Sequence, residues 1–312
     1  MSYYDWERVL QRRRGGSKRN RTKTPTDRPE TARRIASIIA SQRRGLEAPE
    51  FAKRGGRVDR RRLASVATGN DRAFTTRAGR SSTRLKVVCI IDLSGSMIGE
   101  NAQRAIQTAW DFALAVRLVP TATLEIWAHT TGYLNTDEKP LLGILDERDP
   151  AIAATPSASG VLQGQYVAAY HLYEEGMTAR QFYQQFKGIS MSGNEDGWSL
   201  DAVLNDVSRR TPSSQRMLAV MVSDGSPAYA ERQAGIGHVK AVVNRWRKRG
   251  AGVISVSVDA NLRKEAQEFM YGHEWVVPFT EDPGRNYWDA PMVGLSRTNV
   301  TRLGRIIGRV LA

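Results

Sequence analysis

Residues 85–97 read LKVVCIIDLSGSM, and this stretch decides the fold. Leu85 to Ile91 is a nearly unbroken, β-branched apolar run, the pattern of a strand covered on both faces. It runs straight into Asp92-Leu93-Ser94-Gly95-Ser96. Beyond it, residues 99–118 repeat apolar side chains at helical spacing: Ala102, Ile106, Ala109, Trp110, Ala113 and Val116. Outward from this unit the alternation continues. Strands are expected at Thr123–Ala128, Met217–Val222 (MLAVMV), Gly252–Val258 (GVISVSV) and Trp275–Phe279; helices are expected at Tyr166–Phe186, Leu200–Val207, Val239–Arg249 and Ser296–Leu311. Strands alternating with helices predict an α/β fold, a doubly wound and mostly parallel sheet flanked by helices.

Two acidic segments fall at strand ends, where ligands bind in open α/β sheets. The first is Asp92-x-Ser94-x-Ser96; the second is Ser223-Asp224-Gly225, directly after MLAVMV. One carboxylate and two hydroxyls at alternate positions of a tight loop aim three oxygens at one point. A second carboxylate from a neighbouring strand, with water, completes the octahedron that Mg²⁺ or another hard divalent cation takes. Gly95 is expected to let the loop turn tightly.

These residues resemble the metal-ion-dependent adhesion site of von Willebrand factor A (VWA) domains, over about residues 85–312. A closer resemblance is to the C-terminal domain of the cobaltochelatase CobT subunit. It is carried by Asn194-Glu195-Asp196-Gly197, by RMLAVMVSDGSP, by GRVDRRRLASV with the strand-like segment around Phe74, and by HVKAVVNRWRKRGAGVISVSVD. The resemblance implies an adaptor beside an AAA+ ATPase of the CobS or MoxR kind, with a carboxylate of a partner protein completing the ion's coordination. Two departures stand out. The loop that supplies a threonine in many such domains reads Ser192-Gly193-Asn194-Glu195-Asp196-Gly197, so Asn194 or Asp196 takes that place, Asp196 being the better ligand chemically. The long acidic region of full CobT proteins is replaced by a basic one, which weakens any link to cobalt insertion.

That basic region holds the chain's whole charge excess. Residues 1–80 carry 22 Lys+Arg against 8 Asp+Glu, and the other 232 residues carry 24 of each. The chain therefore divides into a basic, partly disordered N-terminal extension at 1–80 and a VWA-like metal-binding domain at 81–312. Stretches at Tyr4–Gln11 and Thr31–Ser41 have helical character, but no apolar set there is large enough for a core. Clusters such as Arg12-Arg13-Arg14 and Lys18-Arg19 also suit a nucleic-acid partner.

Other classes are disfavoured. There is no G-x-x-x-x-G-K-[ST] string, and Gly235-Ile236-Gly237 lacks the third glycine of a dinucleotide fingerprint. Ser94 lies outside any G-x-S-x-G elbow, so no catalytic residue is assigned. His129, His171, His238 and His273 show no metal-ligand spacing and are read as structural or exposed. A single cysteine, Cys89, the lack of an apolar leader and the lack of any membrane-length apolar run place the chain in the cytoplasm, away from membranes. The competing reading of Asp92 and Asp224 is as ordinary loop-capping residues.

Overall fold

The computed structural model describes residues 22–46, 50–52, 57–58, 74–76, 84–133, 165–187, 189, 191, 193–225, 232–258, 264–277 and 303. After helix α1 (Pro29–Leu46), strands β1 (Glu50–Ala52), β2 (Arg57–Val58) and β3 (Phe74–Thr76) form a small antiparallel sheet in the order β1-β3-β2. The main body follows as β4 (Arg84–Asp92), α2 (Glu100–Arg117), β5 (Ala122–Tyr133), β6 (Gln165–His171), α3 (Ala179–Lys187), α4 (Asp196–Arg210), β7 (Gln215–Ser223), α5 (Arg232–Lys248), β8 (Gly252–Ser257), α6 (Lys264–Tyr271) and β9 (Val276–Val277).

The six-stranded sheet has the order β6-β5-β4-β7-β8-β9 and is parallel except for the β5–β6 pair. This is the doubly wound α/β sheet that the sequence predicts. The apolar run of β4 splits by parity between two cores. Leu85, Val87, Cys89 and Ile91 join one face with α2, α3 and α1; Val88 and Ile90 join the other with α4, α5 and α6. β7 divides in the same way, with Leu218, Val220 and Val222 on the first face and Ala219 and Met221 on the second. Central parallel strands need apolar side chains at every position because helices cover both faces. The chain leaves β4 toward β5 on one side and returns to β7 on the other. The β4–β7 crevice is thus a switch point, with Asp92 and Ser223-Asp224 at its carboxyl end.

Two expectations are corrected. Tyr166–Phe186 is not one helix: Gln165–His171 is an edge strand antiparallel to β5, and only Ala179–Lys187 is helical. The segment YVAAYH carries the aromatic and β-branched residues that favour a strand beside an open edge, and that pairing overrides the apolar spacing. The second correction concerns residues 22–40, assigned by sequence to the basic extension. Ala32, Ile35, Ala36 and Ile39 of α1 are buried in the first core. The preceding segment lies along α2. Gln107 exchanges hydrogen bonds with the Thr26 backbone (2.9 and 2.8 Å), Trp110 donates to Asp27 (2.8 Å), and Arg28 pairs with buried Asp111 (2.6 Å). These few apolar residues need no core of their own because α2 offers them one. The expected helices at Tyr4–Gln11 and, Leu303 aside, at Ser296–Leu311 lie outside the described residues, as do residues 278 and 279 of the expected strand Trp275–Phe279, of which Val276–Val277 forms β9.

If α1 is part of the core, Ile35→Ala lowers the unfolding free energy by about 2–4 kcal/mol, the usual cost of truncating a buried aliphatic side chain. Urea titration measures this. A change within about 0.5 kcal/mol, as for an exposed position, would show that the helix is not integral to the body.

Candidate metal centre

β4 ends on Asp92, whose neighbour Leu93 donates its N–H to the His129 carbonyl (2.9 Å) and so keeps the loop tied to β5. A single 3₁₀ turn, Gly95–Met97, then leads to α2. The expected role of Gly95 is not what the backbone needs, since the positive-φ positions flanking the site are Gly99 (φ 93°) and Gly225 (φ 79°). Gly225 has a second constraint: a Cβ there would stand 2.5 Å from the Gln267 side chain.

The Asp92 carboxylate is the hub of the site. Its Oδ1 accepts the Ser94 N–H at 2.8 Å. Its Oδ2 accepts from the Ser94 hydroxyl (3.2 Å), the Asn194 amide (2.9 Å) and the Ser223 hydroxyl (3.1 Å). Ser94 and Ser96 hydroxyl oxygens stand 3.0 Å apart, with Ser94 buried and Ser96 exposed at the mouth. Asn194 Nδ2 also donates to Asp196 Oδ1 (3.1 Å), so this amide bridges the two carboxylates. Ser223 is held in turn by the Gly225 N–H (2.9 Å). Asp196 opens α4, where a carboxylate suits the positive end of the helix dipole.

Asp92, Asn194, Glu195, Asp196 and Asp224 are all buried. Burial pushes the Asp92 carboxyl up to about 7, with the Asp224 charge adding to the effect and hydrogen bonds from Ser94 and Ser223 opposing it. Asp196 is raised well above the usual carboxylate range, first by burial and then by Asp92, Asp224 and Glu195. Among the described residues neither Asp92 nor Asp196 has a lysine or arginine partner; the basic-type side chain nearest Asp196 is His129, with Nε2 3.6 Å from Oδ1. Burial lowers His129 to about 3, so its imidazole is neutral. The buried Tyr271 hydroxyl is likewise pushed well up, by burial and then by the Asp196 charge.

The sequence-derived residues Asp92, Ser94, Asn194, Asp196 and Asp224 therefore lie in one buried place, with Ser96 at its entrance. The sequence reading took His129 as structural or exposed and gave Ser223 no separate role; the structure buries His129 beside Asp196 and sets the Ser223 hydroxyl on Asp92. The signal for His129 was positional: it closes LEIWAH at the carboxyl end of β5, level with Asp92 in the parallel register. The other histidines lie elsewhere, His171 beside Glu125 (3.9 Å), His238 against Trp198 (ring centroids 4.5 Å apart) and His273 against Glu268 (2.7 Å). Buried carboxylates crowded at one end of the sheet, two hydroxyls and a neutral imidazole form a donor set that fits a divalent cation.

No protein-family description matches this sequence, and a search of curated proteins finds no match. Solved structures similar to it include manganese-loaded Plasmodium vivax TRAP protein (10% identity, TM-score 0.39, covering 63% of this chain and 68% of that one). Proximal thread matrix protein 1 from the mussel byssus is similar at 9% identity and TM-score 0.42, over 73% of this chain and 48% of its own. The pilus adhesin SpaC from Lactobacillus rhamnosus GG is similar at 10% identity and TM-score 0.39, over 73% of this chain and 30% of its own.

In chelator, folded Asp92 keeps its proton up to about pH 7, whereas the unfolded chain releases it near pH ~3.9. The folded state binds more protons across that window, so stability falls as pH rises from about 4 to about 7 and then levels. Asp92→Asn removes this contribution. The stability of wild type minus that of Asp92→Asn, from urea midpoints in EDTA, should decline over the window. A difference that is flat or rises with pH contradicts the electrostatic description.

Proposed function

We propose that this chain is a VWA-type interaction module that binds one divalent cation, Mg²⁺ being the expected ion, and offers it to a carboxylate of a partner protein. Asp92, Ser94 and Ser96 hold the ion. Asp224 and Asp196 contribute directly or through water, and Asn194 keeps the two acidic walls in register. The observation that carries this reading is the Asp92 hub: a buried carboxylate without a basic partner among the described residues, contacting donors from three separate segments at the switch point of the sheet. A bound cation supplies Lewis-acid attraction for an incoming anionic oxygen; the protein's own groups position it and exclude water.

Access fits the same role. Ser96 is exposed, and Ile98 beside it is an exposed apolar side chain (50%) at the rim, suited to contact a partner around the anchoring carboxylate. Following the CobT resemblance, the partner we propose is an AAA+ ATPase of the CobS or MoxR kind, with this chain as adaptor and without catalysis of its own. No helix among the described residues is long and apolar enough to cross a membrane.

A second reading draws on the charge excess of residues 1–80, which suits binding to nucleic acid with the α/β body as scaffold. In that case affinity for DNA or RNA falls steeply with salt, and replacing Arg12, Arg13, Arg14, Lys18 and Arg19 by glutamine weakens it. Full-length protein that ignores both polymers at low salt rules this reading out.

For the first reading, Mg²⁺ at 100 times its Kd stabilises wild type by about 2.7 kcal/mol, and Asp92→Asn shows no such response. Affinity purification with wild type recovers a partner in Mg²⁺ but not in EDTA, and Asp92→Asn recovers none. Recovery that is indifferent to both the chelator and the substitution contradicts the proposal.

A further inference from the structure

We infer that His129 is a nitrogen donor to the cation held at Asp92 and Asp196, so that the centre prefers a borderline transition-metal ion such as Mn²⁺ over Mg²⁺. This rests on the cation-binding reading above and specifies which ion the site selects.

His129 is fully buried, and neither of its ring nitrogens has a hydrogen-bond partner among the described residues. Buried polar atoms are nearly always satisfied, so an imidazole with two open nitrogens asks for an explanation. Its place supplies one. Level with Asp92 in the β4–β5 register, it puts Nε2 3.6 Å from Asp196 Oδ1, too far for a hydrogen bond. One ligand atom from each of Asp92, His129 and Asp196 lies within 4.8 Å of the other two. Ligands at about 2.1 Å from one ion stand roughly 3 Å apart when adjacent and about 4.2 Å when opposite. The 4.8 Å bound is close to the width of a single coordination sphere, so small side-chain adjustments bring the three atoms onto one ion.

A nitrogen donor changes selectivity. Mg²⁺ is a hard ion that takes oxygen ligands and keeps several waters, whereas imidazole suits first-row transition metals. Two carboxylates, two hydroxyls and one imidazole therefore favour Mn²⁺ over Mg²⁺, and the later first-row ions over Mn²⁺. Removing His129 erases the preference and leaves an all-oxygen site that still takes Mg²⁺.

The test uses the full chain with Mn²⁺ and Mg²⁺ as probes. Titration calorimetry gives both affinities for wild type and His129→Gln, and pulsed electron paramagnetic resonance of the Mn²⁺ complex reports directly bound nitrogen through ¹⁴N coupling. The expected results are ¹⁴N coupling in wild type, its loss in His129→Gln, and a fall in Mn²⁺ affinity of about 10–100-fold, of the size seen when groups supporting a metal are removed, with Mg²⁺ affinity little changed. Mn²⁺ bound to wild type without ¹⁴N coupling overturns the inference, even if His129→Gln fails to fold, and leaves the cation reading standing. An unchanged Mn²⁺-to-Mg²⁺ ratio in a folded His129→Gln does the same. Binding of neither ion to wild type rejects the cation reading, and this inference with it.

Discussion

The structure turns on the cost of keeping several carboxylates buried together. Asp92, Asp196, Asp224 and Glu195 lie together and buried. An ionised carboxylate taken from water loses hydration that only charge partners or hydrogen bonds replace. Donors from Ser94, Asn194 and Ser223 replace part of it for Asp92, and the remainder appears as a carboxyl pushed up to about 7. A group in that state holds a proton or a cation. At neutral pH a divalent ion satisfies two or three such groups at once, which no single proton does.

The fold makes this arrangement possible by rigidity elsewhere. β4 and β7 are apolar on both faces and clamped between two layers of helices, so their carboxyl ends are fixed relative to each other. Parallel register sets Asp92 level with His129 on one side and carries Ser223 and Asp224 to the other. The Leu93 N–H bond to the His129 carbonyl fixes the exit of the loop. On the far side of α2, the segment from Thr22 through α1 closes the first core by side-chain hydrogen bonds to Gln107, Trp110 and Asp111. α2 begins just after the Ser94–Ser96 loop, so a contact made by the N-terminal segment supports the same helix that follows the site.

Much of this was legible in the sequence, for identifiable reasons. LKVVCII and MLAVMV are unambiguous because a strand covered on both sides leaves no polar gap, and the acids after them are marked by position as much as by type. Other features depend on partners distant in the chain. YVAAYH has apolar spacing compatible with a helix, and only the open edge of β5 makes it a strand. Ile35 and Ile39 look too few for a core until α2 is placed beneath them. His129 has no neighbouring ligand in sequence, because Asp92 and Asp196 reach it across the sheet and from the start of α4. Gly95 looked like the turning residue, yet the positive-φ backbone falls at Gly99 and Gly225, since the intervening residues take up a 3₁₀ turn.

The central claim is that these oxygens surround one ion. Crystals grown with Mn²⁺, with diffraction recorded at a wavelength where manganese scatters anomalously, test it most directly. One strong anomalous peak is expected within coordination distance of the Asp92–Ser94–Ser96 loop, facing Asp196. Ordered Asp92 and Asp196 side chains with no peak between them, or a peak only at surface carboxylates, would contradict it.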